Sequence, residues 1–316
     1  MSDVPAPAAP ARPPGAIARA LDSDLFYSFR TSPVAVVAAI IAVVCMIGAA
    51  FAPWLAPHNP FNLASLSLLD SFKPPVFVSG GSWNYLLGTD DQGRDVLSAI
   101  MFGARLSLIV GFASIIFAVL VGVSTGLLAG YSGGWLDTLL MRIADVQLSF
   151  PVLLIALLVD GVLAAVLSHN LSDRLRIYVL IVSIGIAQWP QFARTVRGST
   201  LVERNKDYVL AARVIGISRL RVMATHVLPN VMGPVLVIAT INLALAIIIE
   251  ATLSFFGIGL PPTEPSLGTL INNGNNFLFS GDWWMTVFPG LALVLMVLSI
   301  NLLGDWLRDA LNPRLR

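Results

Sequence analysis

Six long apolar segments constrain the fold of this chain more than any other feature. The first, residues 33–54, contains no charged residue. Because a bilayer core of about 30 Å needs about 20 helical residues to cross it, such a segment is a candidate membrane span. The five others are residues 106–129, approximately 148–167, 177–192, 231–256 and 283–303.

The composition supports a lipid-embedded protein. Hydrophobic residues make up 56% of the chain and charged residues only 12%, whereas soluble domains have about 25% charged residues. Backbone groups in hydrocarbon must be paired within the segment, which favours helices. A cleavable signal peptide is the alternative for the first segment, but its apolar core would be about 7–15 residues long. We therefore expect an all-α membrane protein with six transmembrane helices.

The placement of charge predicts the orientation of these helices. With the N-terminus inside, most Lys and Arg residues fall in the inner connections, which follows the positive-inside rule and places both termini in the cytoplasm. Residues 1–32 are rich in Ala and Pro and read as a mobile cytoplasmic tail, and residues 309–316 as a second, short one. The net charge of +1 gives no reason to expect a nucleic-acid partner.

The rest of the chain divides into outer segments and a core. Residues 33–55 form the first transmembrane helix, and residues 56–102 and 257–282 are long outer segments that form either an external cap or vestibule or ordinary solvated loops. Residues 103–308 form a core with the other five helices and a long inner loop, residues 194–228.

The loop 194–228 carries the most specific pattern. Its apolar residues recur near helical spacing, which predicts a short amphipathic helix; they are Tyr208, Val209, Ala212, Ile215 and Ile217. Gly216 followed by Ser218 reads as a helix stop and a new N-cap. The loop should therefore be a helix, a tight turn and a second helix that ends before Pro229.

Two interpretations of the first helix remain open at this point. The small residues Ala211 and Ala212 suit close approach by another protein surface, so the helix could be a docking element. An amphipathic helix that rests on lipid headgroups would explain the many arginines equally well.

Four sequence runs resemble one family. The run YVLAARVIGISRLRVMATHVLPN, residues 208–230, resembles the cytoplasmic loop of binding-protein-dependent ABC importer permeases, with its two alanines and a glycine four residues after the second. Residues 87–108, 137–151 and 250–270 resemble the dipeptide/oligopeptide branch in particular. The chain departs from the pattern at Leu210, where many members have Glu, and at Leu267, where many have Trp.

The resemblance implies a type I ABC importer transmembrane domain whose loop docks into a cleft of an ATPase subunit. The positions that would couple to the ATPase are Asp207, Tyr208, Ala211, Ala212, Gly216, Ser218, His226, Pro229 and Asn230. The implied partners are a second homologous permease subunit, two cytoplasmic ABC ATPase subunits, an extracytoplasmic substrate-binding protein and the lipid bilayer. The location would be the bacterial inner (plasma) membrane, and the substrate di- or oligopeptides, glutathione or a nickel chelate.

Motifs for catalysis are missing from the sequence. A phosphate-binding loop needs a Gly-Lys pair, but Lys73 and Lys206, the only two lysines, follow Phe and Asn. ATP and Mg should therefore be bound by the partner ATPases, and we expect no cofactor in this chain. A membrane enzyme is disfavoured because the histidines are scattered and no zinc or nucleophile-elbow motif is present.

Two carboxylates in the spans support a rival function. Asp160 and Glu250 could be ion-coupled groups of a secondary transporter or channel, since carboxylates in hydrocarbon are costly and often functional. Packing against a helix or a polar pathway is the interpretation we favour, because proton relays usually need a chain of such groups.

Two further patterns have structural interpretations. Gly122, Gly126 and Gly130 recur every four residues and predict a helix-packing face. The acidic stretch 88–95 could suggest a calcium loop, but it lacks the EF-hand spacing, and a helix cap is the interpretation we favour.

Overall fold

The computed structural model describes residues 24–61, 66–167, 173–260 and 265–310. Within these ranges the protein is helical, and its only β-type pairing is an isolated bridge between Thr89 and Asp95. The helices are α1 (Asp24–Thr31), α2 (Pro33–Ala50), α3 (Ala52–Leu55), α4 (Val96–Ser132), α5 (Gly134–Leu148), α6 (Val152–Val166), α7 (Asp173–Glu203), α8 (Asp207–Val214), α9 (Arg219–Val222), α10 (Leu228–Phe255), α11 (Leu267–Asn275) and α12 (Trp284–Ala310). The all-α prediction is confirmed.

The described residues contain 5 helices that are long and apolar enough to cross a membrane, and 6 spans if a bent pair counts as one. Helices α2, α4, α7 and α12 provide four of them, and the continuous helical stretch Arg219–Phe255 provides the fifth. Helices α5 and α6 are the bent pair. At the centre, α4 packs most extensively against α7, and α10 contacts both of them.

The third predicted span differs from the prediction. Helix α6 occupies the segment predicted at approximately 148–167, but α5 ends at Leu148 and α6 starts at Val152 with an unpredicted bend of 101° between them. Pro151 lies at the break. Proline has no N–H and its ring disfavours a helical conformation in the residue before it, so α5 cannot continue straight into α6.

The fourth span is longer than predicted. The apolar segment ended at residue 192, but α7 continues to Glu203 and runs through Pro190. Packing explains the extension, since Phe192, Ala193 and Val196 are fully buried beyond the proline. Burial of that face offsets the hydrogen bond that Pro190 cannot make.

The glycine face on α4 is confirmed. A Cβ added to Gly130 would lie 2.8 Å from the Cβ of Thr200, and one added to Gly126 would lie 2.9 Å from the Cβ of Val196. Real Cβ contacts are never so short. Only glycine lets the backbones of α4 and α7 approach this closely.

The chain ends differ partly from their prediction as mobile tails. Residues 24–31 form helix α1, and the ring of Phe29 meets that of Trp306 on α12 at 5.2 Å in an edge-to-face contact. At the other end, α12 extends to Ala310. The predictions for residues 1–23 and 311–316 lie outside the described residues.

The two long outer segments pack together at one end of the bundle. Phe72 and Phe277 make an edge-to-face contact with centroids 5.1 Å apart. The indole N–H of Trp284 donates to the carbonyl of Thr89 over 3.1 Å. Residues 261–264 of the second segment lie outside the description. The contacts hold the described parts of both segments against each other and against the start of α12.

The acidic stretch 88–95 caps a helix, as expected. The carboxylate of Asp95 accepts the backbone N–H of Ser98 over 2.9 Å at the start of α4. Burial raises the pKa of Asp90, an effect that the nearby Arg94 opposes. No group of three or more His, Cys, Asp or Glu residues able to hold a metal exists in the described part of the chain. Helix α4 begins at Val96, within the segment 56–102 that is predicted to lie outside the membrane.

Replacing the cap should destabilise the protein measurably. In Asp95→Ala we expect a loss of about 1 kcal/mol in the free energy of unfolding, because an N-cap acceptor is removed. Thermal unfolding in detergent checks this. Asp95→Asn keeps an acceptor and is the matched control. Equal losses of stability in both variants would contradict the capping role. A rise in the melting temperature of the wild type on adding calcium would contradict the interpretation of this stretch as a helix cap instead of a calcium loop.

Candidate functional site

Helix α8 lies at the end of the bundle opposite the two packed outer segments. It ends in a Schellman motif: the N–H of Gly216 bonds the carbonyl of Arg213 over 3.0 Å, and the N–H of Ile217 bonds that of Ala212 over 3.1 Å. Gly216 has a φ of +83°, which side chains rarely tolerate. The predicted helix stop at Gly216 is confirmed, and it fixes the direction in which the chain leaves α8.

The second helix of the loop does not end before Pro229, so that part of the prediction is wrong. Ser218 does take the N-cap position of α9, although its side chain makes no capping bond. A π-helical turn, Met223–Val227, joins α9 to α10, and the N–H of Leu228 reaches the carbonyl of Met223. Pro229 lies in the first turn of α10, directly after this π turn.

Tyr208 links the start of α8 to the neighbouring helices. Its hydroxyl donates to the carboxylate of Glu203 at the end of α7 and accepts from the amide of Asn230 over 3.0 Å. Partial desolvation, followed by the bond to Glu203, raises the pKa of Tyr208 to about 12, so the hydroxyl keeps its proton at neutral pH. The ring of His226 stacks beside that of Tyr208. His226 itself lies in the π turn Met223–Val227.

Arg213 links the end of α8 to α4. Its guanidinium lies 4.7 Å from the centroid of the Tyr131 ring, and its Nε donates to the Tyr131 hydroxyl over 3.1 Å. Arg204, just after α7, donates to the carbonyl of Gly130 over 2.6 Å. The Arg204 bond therefore caps a carbonyl in the last turn of α4, and the Arg213 contacts attach α8 to α4.

One face of α8 is buried and the other is exposed. Val209 and Ala212 are buried in the core, with Ala212 only 5% exposed, while Ala211 is exposed. The prediction that both alanines form one open face is wrong for Ala212, because successive residues on a helix lie about 100° apart.

An exposed apolar tip lies at the end of α8 and the start of α9. Val214 is 88% exposed and Ile215 78%, and Leu220 is 74% exposed. Ile215 was predicted to share one apolar side with Val209 and Ala212, but it lies at the C-terminal end of α8 and is exposed whereas those two are buried. Leu210 and Tyr208 are also exposed. An exposed apolar patch of this kind typically marks a contact with another molecule.

The two carboxylates of the spans are buried apart from each other. Glu250 on α10 is fully buried, and its Oε1 accepts from the hydroxyl of Ser254 over 2.7 Å. Asp160 on α6 is 8% exposed. Among the described residues no hydrogen bond or ion pair joins the two, so the structure offers no relay between them, and the ion-coupled alternative is not favoured.

Comparison with known families matches both parts of the chain. A model described as "Binding-protein-dependent transport system inner membrane component" matches residues 122–316, which is more than half of the sequence. The chain belongs to this family. A second model, "N-terminal TM domain of oligopeptide transport permease C", matches residues 23–75. The family resemblance stated from the four sequence runs is confirmed.

Relatives of this permease match it over nearly its whole length. The di/tripeptide transport system permease protein DppC of Pseudomonas aeruginosa is 37% identical over 98% of this chain and 97% of its own. The dipeptide transport system permease protein DppC of Escherichia coli K12 is 40% identical over 93% of each chain.

A solved structure supports the fold of the permease. It is a chain of the MetNI methionine ABC transporter in inward facing conformations, 19% identical, with a TM-score of 0.52 over 68% of this chain and 96% of that one. The predicted ABC importer transmembrane fold is therefore confirmed.

The interlocking bonds of Tyr208 were not predicted from the sequence. The signal available was the spacing of Glu203, Tyr208 and Asn230 around the loop, but no periodic rule pairs residues across a π turn.

We expect Tyr208→Phe to lower transport about tenfold while the chain still folds, because two bonds to a partly buried hydroxyl are lost. Uptake normalised to protein in the membrane checks this. Unchanged uptake would contradict a role for these bonds in holding α8.

Proposed function

We propose that this permease is a membrane subunit of an ATP-driven importer for dipeptides and that helix α8 seats on a separate ATPase subunit. The exposed apolar tip at Val214, Ile215 and Leu220 is the observation that carries the proposal. An amphipathic surface helix alone would bury its apolar face in lipid. Here the buried face of α8 is already occupied by the protein's own core, and the tip extends beyond it.

The attachment of α8 supports a mechanical role. Bonds from Arg213 to Tyr131, and from Tyr208 to Glu203 and Asn230, connect the helix to α4, α7 and α10. A displacement applied to α8 would therefore move three membrane helices together. This is the arrangement that alternating access requires, since the work of ATP binding must reach the pathway through packed elements.

The placement of charge supports an orientation with α8 in the cytoplasm. Basic residues concentrate at the α8 end, among them Arg204, Lys206, Arg213, Arg219 and Arg221, as the positive-inside rule requires. Both termini would then be cytoplasmic, and the packed segments around Thr89 and Trp284 would face the outside of a bacterial inner membrane. The two carboxylates of the spans would serve packing in this account.

The relatives support the substrate class and the partners. Proteins 37% and 40% identical to this chain are named for transport of dipeptides or of di- and tripeptides, and we propose dipeptides for this chain too. The assembly would contain a second permease, two ATPase subunits that bind ATP and Mg, and a substrate-binding protein outside. The chain would contribute half of the pathway and no catalysis.

Reconstitution tests the proposal against the ion-coupled alternative. Vesicles that contain this permease with its candidate partner permease, ATPases and binding protein should take up a radiolabelled dipeptide such as Ala-Ala only when ATP is supplied on the α8 side. Vesicles that contain this chain alone should not take it up under an ion gradient. Uptake by the chain alone, lost in Asp160→Asn or Glu250→Gln, would replace the importer with a secondary transporter.

A further inference from the structure

Pro190 leaves one backbone carbonyl of α7 without its helical partner. Proline has no N–H, so the usual bond from residue 190 to the carbonyl four positions earlier, Ile186, cannot form. Helix α7 nevertheless continues through this position for 31 residues in total. A buried carbonyl that loses its partner costs free energy unless another donor replaces the N–H.

The side chain of Gln147 on α5 supplies that donor. Its Nε2 lies 2.6 Å from the carbonyl oxygen of Ile186 and 3.4 Å from that of Ala187. Its Oε1 accepts the indole N–H of Trp189 over 3.0 Å. One amide therefore replaces the lost backbone bond and holds the residue beside the proline.

Helix α5 is also tied to the part of α7 that follows the proline. Arg197 makes a two-bond ion pair with Asp137, at 2.6 and 2.7 Å. Arg194 lies 3.7 Å from Asp145. The part of α7 that carries these arginines leads directly to Glu203 and then to α8.

We propose that Gln147 is a positioning residue for energy coupling: by closing the Pro190 break, its amide makes α5 and the second half of α7 move as one unit with α8. Displacement of α8 then reaches the 101° bend between α5 and α6. Without the amide, α7 could yield at Pro190 and absorb the movement. The inference rests on the proposed importer function.

A double-substitution cycle tests this in the assembled importer. Gln147→Met removes the amide at similar volume, and Pro190→Ala restores the backbone N–H. We expect Gln147→Met to lower dipeptide uptake per ATP hydrolysed about tenfold, because it leaves the partly buried carbonyl of Ile186 without a donor. In the Pro190→Ala background, Gln147→Met should change the ratio of uptake to ATP hydrolysis less than about twofold, because the backbone N–H of residue 190 is available to the carbonyl of Ile186.

Pro234→Ala provides the matched control, because it also restores an N–H inside a membrane helix but in α10, whereas the amide of Gln147 bonds to α7. Gln147→Met should have its full effect in that background. Equal losses in all three backgrounds would overturn the proposal, because Gln147 would then act independently of the proline.

Hydrogen exchange on the purified chain separates this inference from the proposed function. Gln147→Met should speed amide exchange in residues 183–192 at least about tenfold, and Pro190→Ala should suppress the change. Faster amide exchange with an unchanged ratio of uptake to ATP hydrolysis would overturn the positioning role. No change in exchange would overturn the bond itself. If the wild-type assembly shows no uptake, the importer proposal fails, and the exchange data still decide whether Gln147 closes the break.

Discussion

Val214→Asp should abolish dipeptide uptake while the permease still inserts and folds. The side chain is 88% exposed, so a carboxylate there costs little in the isolated chain. On an ATPase surface that receives the apolar tip, the carboxylate would be desolvated without a partner. Substitutions at the centre of an interface lower the binding free energy by about 2 kcal/mol or more. We therefore expect uptake and ATPase co-purification to fall at least about thirtyfold.

A substitution at the other end of the protein controls for the effect of charge. Leu69 is 92% exposed and lies in the outer segment that packs near the start of α12. Leu69→Asp should leave ATPase co-purification unchanged. If Val214→Asp retained the ATPase and full uptake, the tip of α8 would not be the docking surface.

Gly126→Val should prevent the permease from folding. A Cβ at this position would overlap the carbonyl of Ala193 and lie 2.9 Å from the Cβ of Val196. Neither backbone nor a packed β-carbon can move aside cheaply, so overpacking of about 3 kcal/mol or more is expected. The measurement is the yield of monodisperse protein after detergent extraction, together with its melting temperature.

Gly198→Ala is the matched control for this prediction. This glycine lies in α7, and an added Cβ would meet nothing within 4 Å. The variant should be stabilised by about 0.5–1 kcal/mol, because alanine has the higher helix propensity. A stable, well-folded Gly126→Val protein would show that the α4–α7 contact is looser than the structure indicates.

The sequence predicted the features that follow from local periodicity. Apolar length placed the spans, the glycine spacing placed the α4–α7 contact, and Gly216 marked the end of α8. Each of these signals acts over a few residues along one helix, where helical geometry alone determines which side chains share a face. The match of four ordered runs to one family then gave the function class.

Tertiary packing determined what the sequence did not predict. The fourth apolar segment was predicted to end at residue 192, but burial of Phe192 and the amide of Gln147 support α7 around Pro190, and the helix continues to Glu203. Pro229 was taken as a second end, but the π turn before it lets the helix continue. Ala212 faces the core because it packs, with Val209, into the main buried hydrophobic cluster. The outcomes at Phe192 and Ala212 depend on packing between helices.

Cysteine crosslinking at the tip of α8 shows directly whether this helix contacts an ATPase subunit. The chain has one cysteine, Cys45, so a Cys45→Ala background that carries Ile215→Cys presents a single thiol at the tip. With a short bifunctional reagent in native membranes, the account predicts one dominant product with an ATPase subunit, whose yield changes when ATP is added. Labelling of Ile215→Cys by a lipid-confined reagent, with no protein crosslink, would contradict the account.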